Sequence, residues 1–276
     1  MIPQVVPATY RDATVTRSSG FGRARQDKGS RMRIAAISDI HGNVAALEAV
    51  LADVAQRGVD VVVNLGDIAS GALFPSETVD RLMPLALPTI RGNHERQIAT
   101  LSVDRMGTSD RHAAETLRPD QLQWLGALPP ILRLSDDVLL VHGTPDSDLT
   151  YFLHTVTARG LREATPAEVL ERAGGADASL ILCGHTHLAG IAKLGDGRLI
   201  VNPGSVGLPA YDDDRPFPHF VESGSPHARY AIATKTNAGW SVELMSVEYD
   251  WEGAARQAEA NGRTDWSAAL RTGTLV

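Results

Sequence analysis

Five short polar motifs punctuate the chain, and each directly follows an apolar run that reads as a buried strand. They are Asp39-Ile40-His41-Gly42-Asn43, Gly66-Asp67, Gly92-Asn93-His94-Glu95, His142-Gly143 and Gly184-His185-Thr186-His187. A fold that alternates buried strands with helices brings the ends of those strands to one edge, where distant side chains meet. The motifs therefore predict one shared site. Asp39, Asp67, Asn93 and the five histidines supply enough oxygen and nitrogen donors for two divalent ions, with coordination positions to spare. A single-ion or purely structural site needs fewer donors. The glycines beside them permit tight turns and close backbone approach.

The pattern between the motifs is regular. Ile34–Ile37 is a buried strand. Asn43–Gln56 is helical, with Val44, Leu47, Val50, Leu51 and Val54 on one face and Gly58 as its stop. Val59–Val63 is a second strand, Ser76–Met83 a second helix closed by Pro84, and Pro88–Ile90 a short third strand. A mostly polar helical stretch covers His94–Gly126. Val138–Val141 and Leu180–Leu182 are strands, and Thr165 with Glu168 forms a capping box around Pro166.

After Gly184 the pattern becomes antiparallel. Gly190–Lys193 and Arg198–Val201 flank one turn, and Arg229–Thr234 and Trp240–Tyr249 flank another. Helical periodicity returns over Trp251–Ala260 and Asp265–Arg271. Two stacked sheets with helices outside fit this order.

A net charge of -7 gives no bias toward nucleic acid or a membrane surface. Cys183 is the one cysteine, so no intrachain disulfide can form, and a reducing, cytoplasmic setting is expected. No apolar run reaches the roughly 18 residues a membrane-spanning helix needs. Residues 1–31 hold Pro, Gly, Ser and scattered basic residues with little apolar pattern, so a disordered extension is expected there. A native start at Met32 explains it more simply than a transit peptide.

The motif set, together with Asn202-Pro203-Gly204-Ser205-Val206-Gly207, resembles the calcineurin-like metallophosphoesterase superfamily, and within it the small bacterial phosphodiesterase and phosphatase branch. The resemblance runs from about Met32 to the C-terminus. It implies an α/β fold, a four-layer α/β/β/α sandwich of two mixed sheets flanked by helices. Residues 32–276 would form one domain with a helical tail from about residue 250.

By position, the resemblance implies that Asp39, His41 and His187 hold a first metal. Asn93, His142 and His185 would hold a second, and Asp67 would bridge the two. His94 would face the leaving group as general acid or charge stabiliser. The implied cofactors are two divalent transition-metal ions (Mn, Fe, Zn, Ni or Co), with Mn favoured. The implied reaction is hydrolysis of a phosphodiester or small phosphomonoester by in-line attack of a hydroxide shared between the ions.

Other residues carry weaker expectations. Arg91, Tyr151 and His154 are candidates for substrate contact. Surface ion pairing competes for Arg91, and core packing for Tyr151 and Phe152. Glu95 reads as a cap or ion-pair partner, and Asn43 as a helix cap. Asp212-Asp213-Asp214 would repel phosphate near the site, so it reads as a solvated loop, within an ordered excursion from Pro209 to Pro226. The tail around Trp251 and Trp266 reads as an apolar helix pair packed on the sheet.

No Arg follows Gly66-Asp67 closely, which counts against protein phosphatase and dinucleoside tetraphosphatase activity. The alternative function is a non-catalytic protein-binding scaffold on the same fold. Such scaffolds lose ligands, and here every ligand type is present. The expected partner is a small phosphoester, without nucleic acid, and assembly into a homo-oligomer stays open.

Overall fold

The structure is a computed structural model that describes residues 32–275. The expectations for residues 1–31 lie outside the described residues. The first half runs β1 (Arg33–Ile37), α1 (Val44–Ala55), β2 (Val61–Asn64), α2 (Pro75–Leu82), α3 (Asn93–Thr100), α4 (Thr108–Thr116), α5 (Pro119–Ala127), β3 (Ile131–Ser135) and β4 (Val138–Val141). There follow β5 (His154–Thr157), β6 (Gly160–Glu163), α6 (Pro166–Ala173), β7 (Leu180–Leu182), β8 (Gly190–Lys193) and β9 (Leu199–Asn202). The chain continues with β10 (Ala210–Asp213), β11 (His219–Glu222), β12 (Ala228–Thr236), β13 (Gly239–Val247), α7 (Trp251–Ala260) and α8 (Thr264–Thr272).

Two mixed sheets form the centre. One has the order β13-β12-β1-β2 and the other β3-β4-β7-β9-β8. Alternation along β1 explains the layering, because successive side chains point to opposite faces. Ile34 and Ala36 pack with Val63, Leu140, Leu182 and Val201 between the two sheets. Ala35 and Ile37 pack outward against Leu47, Val50 and Val79 of the α1 and α2 layer. Ile181 and Cys183 face the other way, onto Val169 and Ala173 of α6. The result is two mixed sheets with helices on both outer faces, as expected.

Several local expectations change. Pro88–Ile90 makes only an isolated bridge, Thr89 to Asn64, because the chain turns away after one pairing. The helical stretch from His94 is broken into α3, α4 and α5. Leu101 and Leu117 are extended at the C-caps, and Gly107 and Pro119 start the next two helices. The segment after Tyr151 forms the β5–β6 hairpin, and the excursion after Pro209 forms the β10–β11 hairpin. The tail helices pack on Ala72, Leu73, Leu208 and Ala210, so they sit on the loops beside the site rather than on a sheet face alone.

Candidate metal centre

The five motifs converge. The loops after β1 and β2 run side by side, with Asp39 N–H donating to Gly66 O and His41 N–H to Asp67 O, each at 3.0 Å. Asp39, His41, Asp67, His185 and His187 all have positive φ, between 52° and 69°. The left-handed backbone swings each side chain inward individually. Such conformations are uncommon outside glycine and concentrate at functional sites.

Neighbouring groups hold these loops. The buried Glu95 carboxylate accepts from Gly92 N–H at 2.9 Å and from the Asp67 and Ile68 N–H groups at 2.8 Å each. It therefore caps α3, as expected, and also ties the Gly66-Asp67 loop to it. A Cβ on Gly92 would lie 2.2 Å from Asp67 Oδ1, so glycine is required there for close approach. Ser205 Oγ donates to Asp39 O at 2.7 Å, and Gly207 N–H donates to the same oxygen at 3.0 Å. Asn43 accepts from Ala46 N–H as the cap of α1, and its amide also donates to Gly207 O.

Two groups of candidate ligands result. Asp39, His41 and His187 form one, and Asp67, His142 and His185 the other, each with ligand atoms within 4.8 Å of one another. Asn93 Oδ1 lies 3.1 Å from His142 Nε2.

The hydrogen bonds show what these groups lack. His41 and His187 each donate Nδ1–H to a carbonyl, Ser70 O and Leu208 O, both at 2.7 Å. A carbonyl can only accept, so each Nδ1 carries a proton; burial keeps both rings neutral, which leaves a lone pair on each Nε2. The two Nε2 atoms stand 3.0 Å apart, and Asp39 Oδ1 lies 3.5 Å from that of His187. Three buried acceptors thus face one another with no donor between them. A cation there satisfies all three.

His142 is tethered through the same nitrogen, but its other nitrogen meets a carboxylate. Its Nδ1–H donates to Leu65 O at 2.7 Å, and its Nε2 faces Asp67 Oδ2 at 3.0 Å. His185 donates Nε2–H to Leu149 O at 3.1 Å, leaving Nδ1 as its ligand atom. The nitrogen and carboxylate donors fit divalent transition ions.

Electrostatics point the same way. Burial lowers His41 to about 4 and His185 to about 3, keeping both neutral, as ligands must be. Burial opposes charge on His142 too, but the Asp67 carboxylate outweighs it and raises the imidazole to about 10. The space between these two groups is therefore built for positive charge.

His94 belongs to neither group. Its Nδ1 lies 2.6 Å from Oδ1 of the buried Asp110, so Nε2 remains for the cavity. Burial disfavours its charge, but Asp67 and then Asp110 outweigh that and raise it to about 9.

The site opens into a cavity of about 790 Å³. Tyr151 and His154 line it, whereas Arg91 does not. Arg91 also makes no ion pair among the described residues, and its Nε is buried without a partner. Asp212, Asp213 and Asp214 are exposed, as expected, yet they border this cavity because the β10–β11 hairpin folds back over it.

Asp110, Tyr211, Arg263 and Trp266 escaped the sequence reading. Tyr211 Oη donates to His185 O at 3.2 Å and pairs with Tyr151 Oη at 2.7 Å, and its ring lies 4.6 Å from that of His187. The Trp266 ring lies 6.1 Å from that of His41. Asp110, Arg263 and Trp266 stand away from the motifs in sequence, and Tyr211 lies in the excursion after Gly207. Trp266 alone carried a signal, and it read as packing.

Comparison with known proteins agrees with this geometry. Residues 32–221 match the model of the calcineurin-like phosphoesterase superfamily domain. The chain is 26% identical over 257 residues to MJ0912 of Methanocaldococcus jannaschii, covering 84% of this chain and 94% of that protein. It also resembles the crystal structure of a metallophosphoesterase from Sphaerobacter thermophilus, with TM-score 0.68 and 27% identity. That match covers 90% of this chain and all of the other.

Proposed function

Because the chain belongs to the calcineurin-like phosphoesterase superfamily, we propose that it is a dinuclear-metal hydrolase of a phosphodiester or small phosphomonoester. Asp39, His41 and His187 would hold one cation, and Asn93, His142 and His185 the other, with Asp67 shared between them. The observation that carries this reading is the set of opposed lone pairs. With both rings kept neutral by burial, His41 and His187 direct Nε2 lone pairs at each other at 3.0 Å, a contact that a bound cation makes favourable. The scaffold alternative loses its ground, since a chain freed from metal binding has no reason to keep it.

Cations held there would supply Lewis acidity, for a water nucleophile and for charge on the phosphoryl oxygens. The chain's own residues do the rest. Glu95 and Ser205 fix the loops that carry Asp67 and Asp39. Asp110 keeps the His94 proton pair in order, with Nδ1–H on the carboxylate and Nε2–H toward the cavity. From Nε2 the proton passes to the departing oxygen, which extends the reaction to poor leaving groups. Tyr151 and Tyr211 wall the site on the side of His185 and His187.

The test is a panel of Mn, Ni, Co, Zn and Fe, with Mn first, against aryl and alkyl mono- and diesters, alongside elemental analysis. Two ions per chain and metal-dependent hydrolysis are expected. One ion or none in metal-replete medium, or no hydrolysis with any cation, refutes the reading.

A further inference from the structure

The cavity lining carries charge of both signs. β10 and the turn after it contribute Asp212, Asp213 and Asp214. The start of α8 contributes Arg263, Asp265 and Trp266. Three guanidinium groups reach the lining, and they differ in where they are held. Arg172 is tied to the β5–β6 side, through the carbonyls of Phe152 and His154 and Thr155 Oγ1, at 3.1, 2.9 and 2.7 Å. Arg215 stands at the rim, its side chain 89% exposed, beside Asp214.

Arg263 is held and still available. Its side chain is 19% exposed and lies over the Trp266 ring at 5.4 Å. Nε and Nη2 donate to Asp265, and Nη1 donates to Ser109 Oγ at 2.9 Å. A guanidinium has five N–H donors, so one remains on each terminal nitrogen. Ser109 precedes Asp110, the partner of His94, which puts this guanidinium on the leaving-group side of the site.

Resting on the phosphoesterase reading above, we propose that Arg263 is a specificity determinant that receives an anionic group on the leaving portion of the substrate. An anion set against β10 instead meets its carboxylates. The substrate class is therefore a small phosphoester whose departing alcohol or phenol carries one further negative charge. The two remaining N–H groups suit the paired oxygens of a carboxylate or phosphate. The tail helix, which lies beyond the residues matched by the family model, thus reads the substrate.

The experiment uses the full chain loaded with metal and two aryl phosphates, meta-carboxyphenyl and meta-carbamoylphenyl, which match in shape and differ in charge. Wild type should favour the carboxylate by about tenfold in kcat/KM. Arg263→Gln should lose about 10- to 100-fold on the carboxylate, chiefly through KM, and less than about threefold on the amide. Arg263→Lys, which keeps the charge, should retain part of the preference. Arg263 also begins α8, so melting curves accompany each variant. If Arg263→Gln does not fold, the wild-type preference and Arg263→Lys decide. No preference in wild type, or equal losses on both esters, overturns the proposal. Hydrolysis of neither ester, nor of any ester in the wider panel, removes the phosphoesterase reading instead.

Discussion

The contact between His94 and Asp110 makes the sharpest demand on the chemistry. Nδ1 and Oδ1 are 2.6 Å apart, and the Asp110 side chain is only 3% exposed, so this is a desolvated, charge-assisted bond. Asp110→Asn keeps the shape and one acceptor but removes the charge. Hydrogen bonds to charged groups contribute about 1.5–3 kcal/mol and neutral ones about 0.5–1.5, so the change costs about 1–1.5 kcal/mol. If that cost falls on the transition state, it is about a 5- to 12-fold loss in rate. His94→Ala removes the proton donor altogether, at about 10²–10⁴-fold.

Both losses should appear with alkyl esters, whose leaving oxygen needs the proton, and shrink with a p-nitrophenyl ester, whose oxygen does not. In the double variant, Asp110→Asn should add less than about twofold, because its effect passes through a ring that is gone. The assay is kcat/KM on both ester types for the four proteins of the cycle, each saturated with metal. If Asp110→Asn costs the same in the His94→Ala background, or if losses on alkyl and aryl esters are equal, acid catalysis through this dyad is refuted.

Three further expectations follow from single contacts. Asp67→Asn weakens the ligand proposed to be shared by both cations, so hydrolysis should vanish and elemental analysis should fall below two ions per chain; near-normal turnover rejects the bridging role. Gly207→Ala places a Cβ 1.7 Å from Ile40 O, where the backbone has no room. Overpacking of this kind costs about 1–3 kcal/mol. The melting temperature should therefore fall by roughly 2–12 °C, and an unchanged melt contradicts the packing described. Tyr211→Phe deletes the hydroxyl that supports His185 O and pairs with Tyr151, so metal affinity by chelator competition should weaken by about 10- to 100-fold; unaltered affinity means the tyrosine pair does not position the ligands.

The sheets and the motif positions were legible because both rest on short-range periodicity. The apolar run Ile34–Ile37 and the helical spacing of Val44, Leu47 and Val50 dictate their element types whatever surrounds them. The breaks among α3, α4 and α5 also had local signals, at Gly107 and Pro119, which the polar pattern masked. Asp110, Tyr211 and Arg263 were illegible for a different reason. Each matters only through a partner far away in sequence: Asp110 through His94, Tyr211 through Tyr151, and Arg263 through Ser109. Asp212, Asp213 and Asp214 were placed away from the site on charge alone, whereas the hairpin's fold brings them to its edge.

The left-handed turns at Asp39, His41, Asp67, His185 and His187 have an evolutionary consequence. Each non-glycine residue in that conformation costs of order 1–3 kcal/mol. Glycine would relieve the tension at every one of these positions and delete a donor each time. Breeding this protein for heat resistance alone should thus erode the centre first, yielding hardier chains that have forgotten their chemistry.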